Sequence, residues 1–159
     1  DTLLRACTLL KEKGIKFHLK IVGVATTESE RTYEETVKKL ALELKLGDEI
    51  EWTGAISNRE LPTLLQQSDI FIHDGATNSL DKTLLEASLC GCIVVSSNPA
   101  YISLTKAIAP ELLFAPKDYE ALALIVQSSG HHKVAAEVRD LIFQKYDIST
   151  LAKNIINTY

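Results

Sequence analysis

Two periodicities alternate along the chain. Residues 2–13 carry apolar positions at helical spacing (Leu3, Leu4, Cys7, Leu9 and Leu10), and Gly14 ends the run. Residues 17–24 (FHLKIVGV) form a β-rich stretch that includes Gly23 near its end, followed by a polar loop over 25–29. Residues 30–46 predict a long amphipathic helix stopped at Gly47, and 49–53 (EIEWT) a short strand with Gly54 after it. Asn58 is suited to cap a helix through Leu61, Leu64 and Leu65, where Pro62 is tolerated in the first turn. Residues 69–73 (DIFIH) predict a strand, 74–78 a loop, 81–90 a helix closed by Gly91, and 92–96 (CIVVS) a buried strand. The pattern continues with a helix over 100–108, a brief strand over 112–114, and a helix capped by Asp118 through Gln127. A turn at Gly130 then leads to two closing helices, about 132–145 and 149–159.

Short apolar strands alternating with helices predict an α/β fold: a Rossmann-like parallel sheet flanked by helices on both faces. The 159 residues suit a single domain over 1–159, with closing helices from about 132, and no repeat or linker interrupts them. A hydrophobic content of 46% and a charged content of 24% are ordinary for a globular chain with a sizeable core. The net charge of −4 gives the chain no basic footprint for nucleic acid and no polybasic membrane patch. No secretory signal is visible, and no apolar run approaches the roughly 20 residues that span a bilayer. The expected location is therefore cytoplasmic, with the inner face of a membrane reachable only through absent parts. The chain has no methionine, even at residue 1, and it opens on a helix where such folds usually open on a strand. Both features lead us to expect a piece of a longer protein that lacks its first strand.

The three cysteines, Cys7, Cys90 and Cys92, are odd in number and argue against a disulfide framework. The C-x-C pair finds no metal-ligand spacing with His18, His73, His131 or His132, so we expect buried thiols and no metal.

Open parallel sheets bind ligands at the carboxyl ends of their strands. Three loops fall there: 23–27, 54–58 and 74–82. Gly23 and Gly54 each end a strand, where glycine either makes a plain turn or lets a ligand approach the backbone. The third loop is the strongest candidate. A helix starting near residues 79–81 leaves the amides of Ser79, Leu80, Asp81 and Lys82 without helical partners, an arrangement suited to a phosphate. Lys82 adds a positive charge, and Asp81 is expected to cap the helix. Glu86 lies one turn after Lys82. It is either the surface partner of that lysine or a carboxylate that accepts hydrogen bonds from the vicinal hydroxyls of a ribose. A receiver-like signalling domain with Asp74 as phosphoacceptor needs an acidic pair after an early strand, and Ala25-Thr26-Thr27 follows IVGV instead.

The stretch over 78–97 (NSLDKTLLEASLCGCIVVSS) resembles the donor-binding motif of retaining glycosyltransferases of the two-Rossmann-domain GT-B fold, family four in particular. LKIVGV, DEIEWTGAISNRELPTLLQQSDIFI, LLFAPKDYEALALIV and VRDLIFQKYDISTLAKNIINTY resemble that family's further segments in the same order. The resemblance implies one half of a GT-B architecture: the C-terminal domain that holds a nucleotide-diphosphate-sugar as substrate. An N-terminal acceptor-binding domain of the same protein would be its partner, and no separate cofactor or metal would be needed. Glu86 matches the family's second glutamate, which holds the ribose. Ser79, Leu80 and Asp81 match the amides that hold the diphosphate, and the loop after Gly54 lies near the base. The first glutamate, which touches the donor sugar, is replaced by Asn78, which keeps hydrogen bonding but loses charge. The Gly-Phe-Gly run of the family is Ser79-Leu80-Asp81 here, its proline is Ile93, and its paired glycines are Ala100 and Tyr101. The Arg and Lys that clamp the diphosphate in the family precede Asp1, so the isolated chain is expected to be inactive. Two alternatives share the nucleotide site: a nucleotide-sugar epimerase of the same architecture, and a degenerate domain that binds without catalysis.

Overall fold

The protein is described by a computed structural model that covers residues 1–75, 77–128 and 132–146. In chain order its elements are α1 (Thr2–Glu12), β1 (Leu19–Val22), α2 (Glu28–Glu43), β2 (Ile50–Gly54), α3 (Leu61–Gln66) and β3 (Ile70–His73). These are followed by α4 (Lys82–Cys90), β4 (Ile93–Ser96), α5 (Pro99–Thr105), a 3₁₀ turn (Pro110–Leu112), α6 (Tyr119–Gln127) and α7 (His132–Tyr146). The predicted turn at Gly130 and helix over 149–159 lie outside the described residues.

The elements gather into two compact units, one formed by 1–61 with 117–127 and the other by 62–116 with 128 and 132–146. In the first unit β1 pairs in parallel with β2, with Leu19 opposite Ile50 and Ile21 opposite Trp52. The register slips between Ile21 and Val22, so Val22 faces Gly54. Leu4, Cys7, Ala41, Leu46 and Ile50 form the buried core of this pair, and α1 packs against α6. In the second unit β3 and β4 are parallel and unbroken in register from Ile70–Ile93 to His73–Ser96. Every residue of β4 is buried, and α4 packs on it and on α7. Strands joined by helical crossovers and paired in parallel are the α/β pattern read from the sequence.

Several boundaries differ from expectation for physical reasons. The strand expected over 112–114 is reduced to a single parallel bridge from Leu113 to Ser96, preceded by a 3₁₀ turn over Pro110–Leu112 that Pro110 favours through its fixed φ. Gly54 is the last residue of β2 instead of following it. Asn58 does not cap α3. Ser57 instead closes the turn that leads into it, through a reciprocal pair with Glu60, whose carboxylate accepts from the Ser57 hydroxyl at 2.6 Å. Helix α2 ends at Glu43, before Gly47. Lys45 takes the left-handed conformation at φ 58° while the Leu46 amide donates to the Ala41 carbonyl. Burial of Leu46, which is fully enclosed, outweighs the roughly 1–2 kcal/mol that the left-handed conformation costs a lysine. Gly14 and Gly91 do stop their helices at positive φ, and Asp118 does cap α6 by accepting from the Ala121 amide. Cys7 and Cys92 are buried thiols, whereas Cys90 is half-buried. Among the described residues, no helix is long and apolar enough to cross a membrane.

Candidate functional site

The predicted site residues divide between the two units. Gly23 and Gly54 lie in the first, at the ends of β1 and β2. The Gly23 amide donates to the Gly54 carbonyl at 2.9 Å, and both glycines have positive φ (133° and 70°). That backbone suits glycine whether or not a ligand approaches. The 23–27 loop runs into α2, where a capping box satisfies the Thr26, Thr27 and Glu30 amides. Thr27 accepts from the Glu30 amide, while the Glu30 carboxylate accepts from the Thr26 amide, the Thr26 hydroxyl and the Thr27 amide at 2.7, 2.7 and 2.9 Å. Those hydrogen bonds, led by the Thr26 hydroxyl, hold the Glu30 carboxyl down at about 2.

The second unit holds Asn78, Ser79, Leu80, Asp81, Lys82 and Glu86 together in the loop after β3 and the first turns of α4. Asp81 is the N-cap: one carboxylate oxygen accepts from the Thr83 amide at 3.0 Å and the Thr83 hydroxyl at 2.9 Å. Its other oxygen accepts from His73 Nε2 at 3.2 Å. The Thr83 amide, and then the Thr83 hydroxyl and His73, hold the Asp81 carboxyl below its usual range. No acidic side chain occupies the first turn of α4. Among the described residues, the amides of Ser79, Leu80, Asp81 and Lys82 have no acceptor. Asn78, Ser79, Asp81 and Lys82 are exposed and Leu80 is half-buried. Glu86 pairs with Lys82 at 2.7 Å, with their side chains 32% and 80% exposed. The geometry thus contains the surface pair, and an ion pair so open to water adds little stability.

Four further residues frame this loop. Asn98, fully buried at the start of α5, donates through Nδ2 to the carbonyls of Thr77 and Ser79, both at 3.1 Å. Its Oδ1 accepts from the Tyr101 amide at 3.0 Å. Ser97 Oγ donates to Asp74 at 3.2 Å, and the Ser97 amide donates to the His73 carbonyl. A Cβ on Gly75 would lie 2.3 Å from His73 Cε1, so the backbone there lies directly against the imidazole. The His73 side chain is only 17% exposed, and its Nδ1 is buried without a partner among the described residues. None of the four stood out in the sequence as a site residue. For Asn98 the signal was present: an Asn-Pro step after a buried strand marks an N-cap with proline at the first helical position. For Gly75 and His73 it was not, because their contact depends on the loop's path. Among the described residues, no group of three His, Cys, Asp or Glu side chains is placed to hold a metal ion.

Comparison with known proteins gives the family and the fold. The sequence pattern of the family described as glycosyl transferases group 1 matches residues 1–129, and the chain belongs to that family. A relative in Salmonella typhimurium LT2, named as colanic acid biosynthesis glycosyltransferase WcaL, is 28% identical over 154 residues, covering 93% of this chain and 33% of the relative. Among solved structures, Anabaena HepE in complex with UDP superposes with a TM-score of 0.83 at 20% identity, covering 99% of this chain and 43% of HepE. Sucrose-phosphate synthase of Thermosynechococcus elongatus superposes with a TM-score of 0.74 at 18% identity, with the same coverage of 99% and 43%. The fold is therefore the one shared with these two solved structures. The chain spans 26–33% of the length of the WcaL relatives it matches.

Proposed function

We propose that the chain is the donor-binding domain of a retaining glycosyltransferase, which holds a nucleotide-diphosphate-sugar while the rest of the protein presents the acceptor. The observation that carries this reading is the start of α4, where four consecutive amides lack acceptors among the described residues in a member of this family. Free amides at the positive end of a nine-residue helix favour an anion. HepE, of the same fold, is solved with UDP and with UDP-glucose, which supports a nucleotide diphosphate as that anion. In this role the amides of Ser79, Leu80, Asp81 and Lys82, with the Lys82 ammonium, take up the charge that develops on the leaving diphosphate. Glu86 accepts from the ribose hydroxyls, an exchange that its water-exposed pairing with Lys82 opposes only weakly. Asn78 hydrogen-bonds the donor sugar. The reading requires no metal and no cofactor beyond the substrate.

A panel of UDP-, GDP- and ADP-sugars titrated calorimetrically into the full-length protein tests it. One donor class is expected to bind, and Glu86→Ala is expected to weaken it by about tenfold or more while the unfolding midpoint holds. A wild type that binds none of them would refute the reading. A second reading, binding without transfer, is favoured by Asn78, which lacks a carboxylate to stabilise a developing cation. Donor binding with neither transferred nor epimerised product would select it.

A further inference from the structure

We infer that Asn98 is a positioning residue for the diphosphate site: its buried carboxamide fixes the backbone over 77–79 and thereby aims the free amides that follow. The inference rests on the donor-binding reading above. A trans peptide is planar, with its C=O and N–H pointing in opposite directions. The Ser79 carbonyl is drawn onto Asn98 Nδ2, so the Leu80 amide of the same peptide points away from Asn98. The Thr77 carbonyl is drawn onto the same nitrogen, which turns the Asn78 amide away in the same manner. One buried side chain thus sets two peptide planes at the entrance to α4, and it is held in turn by the Tyr101 amide on its Oδ1.

Asparagine alone among short side chains supplies two N–H donors and one acceptor on a single planar group. Serine and aspartate keep the acceptor that caps α5, since both are good N-cap residues. Serine has one O–H to offer two carbonyls. An ionised aspartate has none and would bring a carboxylate against both oxygens. These two substitutions therefore separate the capping role from the aiming role.

The test uses the full-length protein, the nucleoside diphosphate it binds from a panel of UDP, GDP and ADP, and the matching nucleoside. Asn98→Ser is expected to weaken the diphosphate by about tenfold, the scale of one lost hydrogen bond to a charged group, while nucleoside affinity changes by less than about twofold. Asn98→Asp is expected to show a larger loss at about pH 8 than at about pH 6, each relative to wild type, because a buried carboxyl that keeps its proton can still donate to one carbonyl. Unfolding midpoints are followed in the same samples, and if Asn98→Asp does not fold, Asn98→Ser decides. If wild type binds a diphosphate and the variants keep its diphosphate-to-nucleoside affinity ratio, Asn98 is only a cap and the inference falls. If wild type binds no diphosphate, the donor-binding reading itself falls, and the aiming role with it.

Discussion

Helices α2 and α4 both follow a strand of a parallel pair, and both begin with a capping side chain, yet their first turns are chemically opposite. At α2 the chain supplies its own anion. Glu30 accepts from two amides and a hydroxyl, and Glu28 adds a second carboxylate to the first turn. At α4 the capping oxygen of Asp81 reaches only Thr83, no acidic residue follows in the first turn, and four preceding amides have no acceptor among the described residues. Anion sites at helix starts depend on unsatisfied amides and the helix dipole. At α2 the Thr26, Thr27 and Glu30 amides are satisfied within the chain, whereas among the described residues the amides of 79–82 are not. The support differs too. The α2 cap is exposed, whereas the loop before α4 leans on buried Asn98 and on the imidazole of His73.

The sharpest way to break that contrast is Gly75→Ala. The new Cβ would lie 2.3 Å from a His73 ring that is enclosed and tied to Asp81, so neither partner can yield without disturbing the cap of α4. We expect a loss of about 2 kcal/mol in denaturant unfolding, typical of overpacking, together with weaker nucleotide binding. A neutral Gly75→Ala would show that the loop is free to move and that the bracing described here is illusory.

Removing the two caps compares the helix starts directly. Thr27→Ala should cost about 1 kcal/mol, the usual value of an N-cap. Asp81→Ala should cost more, about 1.5 kcal/mol, because it also leaves His73 Nε2 without its acceptor. Chemical denaturation of both variants checks the order, and equal costs would mean that the His73 contact contributes nothing.

How far this contrast was visible in advance depends on the range of the interactions involved. Parallel α/β architecture was legible because burial imposes a period on each segment, as in the wholly apolar IVV of β4. Asp81 as a cap and Lys82–Glu86 as a pair were legible for the same reason, being separated by only one helical turn or less. The stop of α2 was misread because a buried Leu46 forces Lys45 into a conformation that local preference assigns to glycine. Asn98, His73 and Gly75 were missed as a group since their contacts join a loop to the ends of two strands. The capping box of Thr27 and Glu30 is local enough to be within reach of the sequence, and it occupies the Thr26 and Thr27 amides of the 23–27 loop, which the sequence offers only as a place for a ligand to approach.

A smaller effect separates structural from ligand roles at α4. Lys82→Ala removes an ion pair whose lysine is 80% exposed, and a loss of only about 0.3 kcal/mol in stability is expected. Diphosphate affinity should fall several-fold in the same variant, as measured by calorimetry at low and moderate salt. If stability and affinity change in equal proportion, Lys82 serves the helix and not the ligand.

The smallest effect belongs to α2 and is read through pH. Hydrogen bonds at the helix start lower the Glu30 carboxyl from about 4.5 to about 2 in the folded chain. A folded value below the unfolded one means that the stabilisation is complete above about 4.5 and is lost as pH falls from there through about 2. Glu30→Gln should therefore differ from wild type in unfolding free energy near neutral pH and converge with it as acid protonates the carboxylate. The carboxylate is fully open to solvent, so added salt should shrink the difference. At α4 the same logic applies to Asp81, whose carboxyl is also held low, but there the cap and a bound diphosphate would oppose each other in charge. Glu30→Gln should leave nucleotide affinity unchanged, whereas Asp81→Asn, which removes the charge and keeps a capping oxygen, should raise it. If Glu30→Gln raised nucleotide affinity as much as Asp81→Asn, the two helix starts would not be distinct, and the α2 loop would have to be reopened as part of the site.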